Sequence, residues 1–134
     1  MAARSGGRKG LAPMQRFDAV IVGAGPAGST AAWELARAGA RVCLLDRARF
    51  PRPKACGGAL SPRVLRHLPP GVESVLRARV RRAVFTFRWG RPFEIVSPVP
   101  MGYMVCRDEF DAWLRDRAEE AGAKIGRASC RERV

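Results

Sequence analysis

An α/β fold that opens on a right-handed βαβ unit is what the sequence predicts, and three observations predict it. "FDAVIVGAG" (residues 17–25) is a short run of β-branched and apolar residues ending at glycines, the pattern of a buried parallel strand. "PAGSTAAWELARAG" (residues 26–39) follows at once, with Ala27, Ala31, Leu35 and Ala38 at helical spacing and Gly39 as a stop. "ARVCLLDR" (residues 40–47) is a second apolar strand that ends in an acid. Such a unit needs further parallel strands beside it.

The remaining elements can be justified in order. "FPRPKACGGALSP" (residues 50–62) is a loop, because its prolines and adjacent glycines suit neither a helix nor a strand. "SPRVLRHL" starts a short helix capped by Ser61, with Pro62 at the first position. "VRRAVFTFRWGRPFEIVSPV" alternates, breaks at Trp89-Gly90 and alternates again, which predicts an antiparallel hairpin. "YMVCR" reads as another strand. "DEFDAWLRDRAEEAGA" is an amphipathic helix with Asp108 as N-cap, Phe110, Trp113, Leu114 and Ala118 as its buried face, and Gly122 as its stop.

Composition narrows the function classes. The chain of 134 residues is 47% hydrophobic and 28% charged, enough for one modest domain with a core. Its net charge of +13 would suit a polyanionic partner. However, residues 14–124 hold 19 basic and 11 acidic residues, so much of the excess lies in the tails. Arginine outnumbers lysine 22 to 3, a bias expected of GC-rich coding sequence, and no nucleic-acid partner is expected. Cys43, Cys56, Cys106 and Cys130 form no CxxC pair, and His67 is the only histidine, so no metal site is expected. With no secretory signal and no apolar run of the ~20 residues a spanning helix needs, the expectation is a cytoplasmic protein whose membrane contact, if any, is peripheral.

The chemistry concentrates in "GAGPAG", which sets Gly23, Gly25 and Gly28 in G-x-G-x-x-G spacing between a strand and a helix. Gly23 permits a tight turn, Gly25 lets a pyrophosphate approach the backbone at the helix N-terminus, and Gly28 lets the helix pack closely on the strand. Asp46 ends the next strand 18 residues after Gly28 and can accept hydrogen bonds from a ribose diol. This pattern does not separate FAD from NAD. Cys56 remains open at this level, as a metal ligand, a redox thiol or a nucleophile, or as part of a stretch that matters for its backbone rather than its sulfur.

A resemblance narrows the choice. "DAVIVGAGPAGSTAAWELARAGARVCLLDR", then "FPRPKACGGALSPRVL" and "CRDEFDAWLRDRAEEAGA", resemble the N-terminal part of the geranylgeranyl reductase family. That family sits within the wider group of p-hydroxybenzoate hydroxylase-like FAD enzymes. The C-G-G-x-L-S-P run is its more particular mark. The resemblance implies a Rossmann-like FAD-binding βαβ domain with an inserted antiparallel β-hairpin, incomplete at the C-terminus. It implies that Gly23, Gly25, Pro26, Ala27 and Gly28 line the FAD pyrophosphate and that Asp46 and Arg47 hold the adenosine ribose. Ala55, Cys56, Gly57 and Gly58 would pass close to the flavin, and Arg107 would contact the cofactor from the start of its helix. Cys56 then lines a pocket, while Gly57 and Gly58 admit a flat ring.

The expected organisation is a leader over residues 1–15, a partial FAD-binding domain over 16–124 and a tail over 125–134. That tail, "IGRASCRERV", matches the in-frame translation of a short-read sequencing adapter at all ten positions and is set aside from fold reasoning. Two segments that the family leads one to expect, a later Gly-Asp motif and P-x-x-Y-x-W-x-F-P, do not occur. The expectation is therefore a fragment that binds FAD poorly and is itself inactive. Its parent would be an oxidoreductase reducing isoprenoid C=C bonds by hydride from reduced FAD, with NAD(P)H or ferredoxin as electron donor. The alternatives are a flavin monooxygenase or halogenase, and a noncatalytic nucleotide-binding module. Catalytic residues are not legible.

Overall fold

The computed structural model describes residues 15–128. Nearly all of the leader and residues 129–134 of the tail, Cys130 among them, lie outside the described residues. The βαβ unit forms as the sequence predicts: β1 (Ala19–Val22), α1 (Pro26–Arg37) and β2 (Val42–Asp46). β1 and β2 pair in parallel, with Ala19 opposite Val42 and Val22 opposite Leu45. The third parallel strand comes from the far end of the chain, where β8 (Lys124–Arg127) pairs along the other side of β2. This strand continues past Lys124 through Ile125, Gly126 and Arg127, three residues beyond the boundary drawn from the sequence.

Between β2 and β8 lies the inserted part. β3 (Ala59–Leu60), β7 (Gly102–Val105) and β4 (Leu76–Val80) make an antiparallel sheet with β7 in its centre. α2 (Pro62–Leu65) and a 3-10 turn (Val72–Val75) connect β3 to β4. β5 (Arg82–Phe85) and β6 (Phe93–Val96) form the predicted hairpin, pairing among the described residues only with each other. α3 (Arg107–Glu120) returns the chain to the parallel sheet and packs against α1.

Two apolar clusters hold these parts. One joins Ala32, Trp33 and Ala36 of α1 to Val42 and Leu44 of β2 and to Ala118 and Ala123 near the end of α3. The other joins Leu68, Val72 and Val105 to Phe110 and Leu114 of α3, with Trp113 stacked on Phe110 at 6.4 Å. α3 belongs to both, so it fixes the insert against the parallel sheet.

Three local expectations need correction. The buried stripe of α1 is Ser29, Ala32, Trp33 and Ala36, not the one through Ala27, Ala31, Leu35 and Ala38. Both stripes have helical spacing; the packed one carries the large indole and small residues that let α1 approach the sheet and α3. β1 is covered on one face only, leaving Val20 and Val22 exposed, although a parallel sheet is ordinarily covered on both. Finally, Cys106 and not Asp108 holds the N-cap position of α3; Asp108 and Glu109 lie in its first turn, where carboxylates suit the helix dipole. Ser61 does precede α2, but its side chain makes no capping hydrogen bond.

Candidate functional site

The β1–α1 turn has the geometry its glycines suggest. Gly23 has φ +104°, a conformation that L side chains rarely adopt. At Gly28 an added Cβ would lie 1.9 Å from the Gly23 carbonyl oxygen and 3.3 Å from the Ile21 side chain, so only glycine lets the helix sit this close to its strand. Gly25 is different: a Cβ there would meet only the Arg52 guanidinium, at 3.9 Å. The space above Gly25 is therefore open, at the first turn of a helix whose leading N–H groups have no intrahelical acceptors.

Asp46, at the end of β2, faces the same turn. Its Oδ2 accepts a hydrogen bond from the Ala24 backbone N–H at 2.7 Å, and its Oδ1 accepts one from Ala48 at 2.8 Å. Burial pushes this carboxyl up, but the N–H groups of Ala48 and Ala24 and the charges of Arg52 and Arg47 outweigh it and hold the group below its ordinary value. Asp46 thus stays an anion and remains an acceptor at the rim. Beside it opens a cleft of about 410 Å³ lined by Ala24, Asp46, Ala48, Phe50, Arg115 and Ile125. A second cleft of about 420 Å³ has Asp46, Arg47, Arg52 and Lys54 on its walls.

The loop from Arg47 to Gly58 is tied down by a buried ionic cluster. Asp111, in α3, has a fully buried side chain (0% exposed) and accepts from Arg107 Nε at 2.8 Å and Nη2 at 3.0 Å. The Arg52 guanidinium stands 3.5 Å from Oδ2 of the same carboxylate, the oxygen that also accepts from Arg107 Nη2. Asp111 therefore anchors two guanidiniums, one from the loop and one from the helix start. The carboxylate of Asp111 raises the Arg107 pKa despite its partial burial. Arg107 in turn faces the exposed thiol of Cys56, whose pKa is lowered by the Gly58 N–H, 3.5 Å from its Sγ, and then by Arg107.

These distances place the predicted residues. Gly23, Gly25, Pro26, Ala27 and Gly28 form the turn, and Asp46 and Arg47 stand at its rim. Ala55, Cys56 and Gly57 are exposed on the loop, with Arg107 beside Cys56. Gly58 has another reason to be glycine. It is buried at φ +73°, and a Cβ would lie 2.0 Å from the Val105 carbonyl oxygen, so β7 alone already requires glycine here. Gly57 has no atom within 4 Å of an added Cβ and keeps its open side. Sequence reasoning missed Arg52 and the anchoring part of Asp111. The i, i+4 spacing of Arg107 and Asp111 could have suggested their pairing; nothing in the sequence pointed to Arg52.

Comparison with known proteins bears out the resemblance. Residues 18–134 match the family model described as FAD dependent oxidoreductase. The geranylgeranyl diphosphate reductase of Rhodobacter capsulatus is 47% identical over 111 residues, a match that covers 81% of this chain and 27% of that protein. Among solved structures, a geranylgeranyl bacteriochlorophyll reductase-like protein from Thermoplasma acidophilum superposes with a TM-score of 0.72 at 30% identity, covering 83% of this chain and 30% of that one. A flavin-dependent brominase superposes with a TM-score of 0.66 at 25% identity, covering 82% of this chain and 29% of its own. The chain thus spans less than a third of the length of each of these three proteins.

Proposed function

The chain belongs to the FAD dependent oxidoreductase family, and on that premise we propose that it is the cofactor-binding part of a flavin-dependent reductase of geranylgeranyl reductase type. The observation that carries this reading is the convergence at one mouth of three features: the open backbone above Gly25, the Asp46 carboxylate and the Arg52 guanidinium. These are what a dinucleotide requires, namely room for phosphates at a helix N-terminus, an acceptor for a ribose diol and a cation beside the phosphate path. The residues present fit FAD.

In this reading Gly25, Pro26, Ala27 and Gly28 cradle the pyrophosphate, Arg52 neutralises part of its charge, and Asp46 with Arg47 orients the adenosine ribose. Ala55, Cys56 and Gly57 border the flavin end, and Arg107 is held beside them by Asp111. Bound FAD, once reduced by a donor such as NAD(P)H or ferredoxin, supplies hydride to one carbon of an isoprenoid double bond while a proton goes to its neighbour. Support for an isoprenoid substrate comes from the 47% identical protein, a geranylgeranyl diphosphate reductase. The parent protein's place is the cytoplasm, a reading supported by Cys43, Cys56 and Cys106, which are free thiols among the described residues. The similarity to the brominase favours a second reading, in which the reduced cofactor meets oxygen and the parent is a halogenase or monooxygenase.

Titrating the chain with FAD and following flavin fluorescence tests the cofactor site. Asp46→Ala should weaken binding about tenfold, the loss of a charge-assisted contact; equal affinity removes Asp46 from the site. Anaerobic turnover of a geranylgeranyl substrate by the full-length protein supports the reductase, and oxygen-dependent halide incorporation supports the alternative.

A further inference from the structure

The β5–β6 hairpin carries a feature that neither the cofactor site nor the packing of the chain uses. At its tip Phe87 is 75% exposed and Trp89 is 97% exposed. The turn closes with the Gly90 N–H donating to the Phe87 carbonyl at 2.8 Å, and its two central residues, Arg88 and Trp89, have φ of 48° and 60°. Positive φ at both central positions is the geometry of a type I′ turn, which Asn-Gly adopts without cost. Holding an arginine and a tryptophan there costs free energy, and the indole returns none of it through packing. Packing among the described residues does not account for the tryptophan.

The charge at the tip itself is all positive. Arg88 stacks on Phe87 at 5.3 Å, Arg91 follows the turn, and Arg81 stands at the base of the ribbon. Arg82 is neutralised by Glu94, but Arg81, Arg88 and Arg91 make no ion pair among the described residues. We propose that this tip, Phe87 to Arg91, docks on the surface of an anionic lipid bilayer. The two rings enter the headgroup region and the arginines pair with lipid phosphates. Tryptophan suits that boundary because one edge of the ring is apolar and its N–H stays wet. Arginine suits it because its planar fork matches phosphate oxygens. A convex tip offers no groove in which a nucleic-acid strand could lie. The proposal is independent of the cofactor reading, since no residue of the tip touches the Gly23–Gly28 turn or Asp46.

The test is cosedimentation of the full chain with phosphatidylcholine vesicles, with and without phosphatidylglycerol. Trp89→Asn suits the left-handed turn and should leave the far-ultraviolet spectrum and melting temperature unchanged while lowering partitioning onto anionic vesicles about tenfold. Arg88→Ser and Arg91→Ser should each lower it about fivefold on anionic vesicles and little on neutral ones. Brominated acyl chains should quench the fluorescence of Trp89 when the chain is bound. Undiminished binding by Trp89→Asn overturns the proposal. So does an equal loss from Arg63→Ser with Arg66→Ser, which would make the binding a matter of net charge alone. Self-association abolished by Trp89→Asn would assign the tip to a second copy of the chain, and oligonucleotide binding abolished by it would assign the tip to nucleic acid; either result refutes the lipid surface.

Discussion

Replacing Asp111 by alanine should loosen the loop that borders the candidate cofactor site, and the size of the effect follows from burial. The Asp111 side chain is fully buried and serves two guanidiniums, with Arg107 at 2.8 and 3.0 Å and Arg52 at 3.5 Å. Those side chains are only 16% and 18% exposed. Removing one partner of a buried ion pair costs roughly 3–5 kcal/mol, because the other charge is left without compensation. Partial exposure lets water reach the two arginines, which puts the expected loss for Asp111→Ala at the lower end, about 3 kcal/mol. Asp111→Asn keeps the shape and one acceptor, and should lose about half as much. Urea unfolding followed by circular dichroism reads both values, with the midpoint moving and the slope unchanged. The exposed Arg82–Glu94 pair is the reference, and Glu94→Gln should shift little. A loss below about 1 kcal/mol for Asp111→Ala would refute the anchoring role, since the arginines would then have to be solvated already.

Three further outcomes follow from the same geometry. Cys56 should be alkylated by iodoacetamide at a pH below that needed by a free thiol, because the Gly58 N–H and Arg107 stabilise its thiolate; Arg107→Gln should slow the reaction at Cys56, as read by peptide mass mapping, and no change would remove Arg107 as a cause. Asp46 has a folded pKa below its ordinary value of 3.8, so its contribution to stability is present above that pH and is lost as pH falls through the lower, folded value; acid titration should show the difference between the wild type and Asp46→Asn closing below about pH 4, and a constant difference would contradict it. Gly58→Ala should cost about 3 kcal/mol, from a Cβ 2.0 Å from the Val105 carbonyl and a left-handed φ, whereas Gly57→Ala should stay within about 0.5 kcal/mol, so that any loss of FAD affinity in the latter reports contact with the cofactor.

The parts of the fold legible in the sequence were those with a local cause. The β1–α1–β2 unit, the hairpin and α3 each carry their own periodicity and their own glycine stop, so the element type followed from short windows. The burial phase of α1 did not follow. Alanines line both of its stripes, and the choice between them is made by the sheet and by α3, which are distant in sequence. Gly23 and Gly28 were legible because the fingerprint encodes a turn and a close approach within six residues. The packing requirement at Gly58 was not legible because its partner, Val105, is 47 positions away, across the β3–β7 pairing. Arg52 was invisible for the same reason: in sequence it is one more loop arginine, and only folding sets it between Gly25 and Asp111.

That arrangement bears on how the site binds. The loop after β2 is fixed at three places: by Asp46 to Ala24 and Ala48 at its start, by Arg52 to Asp111 in its middle, and by Gly58 to Val105 at its end. Each tie reaches a different element, β1–α1, α3 and β7. A loop held at one end would lose conformational freedom when a dinucleotide bound, and affinity would fall by that cost. Held at three, it keeps Arg52 beside Gly25 before any ligand arrives. Loss of the Asp111 tie should therefore weaken FAD binding even though Asp111 is buried and does not line the open mouth. The effect should appear mainly as a slower association rate, because the loop must then find its position after encounter, and an unchanged association rate in Asp111→Asn would show that the other two ties suffice.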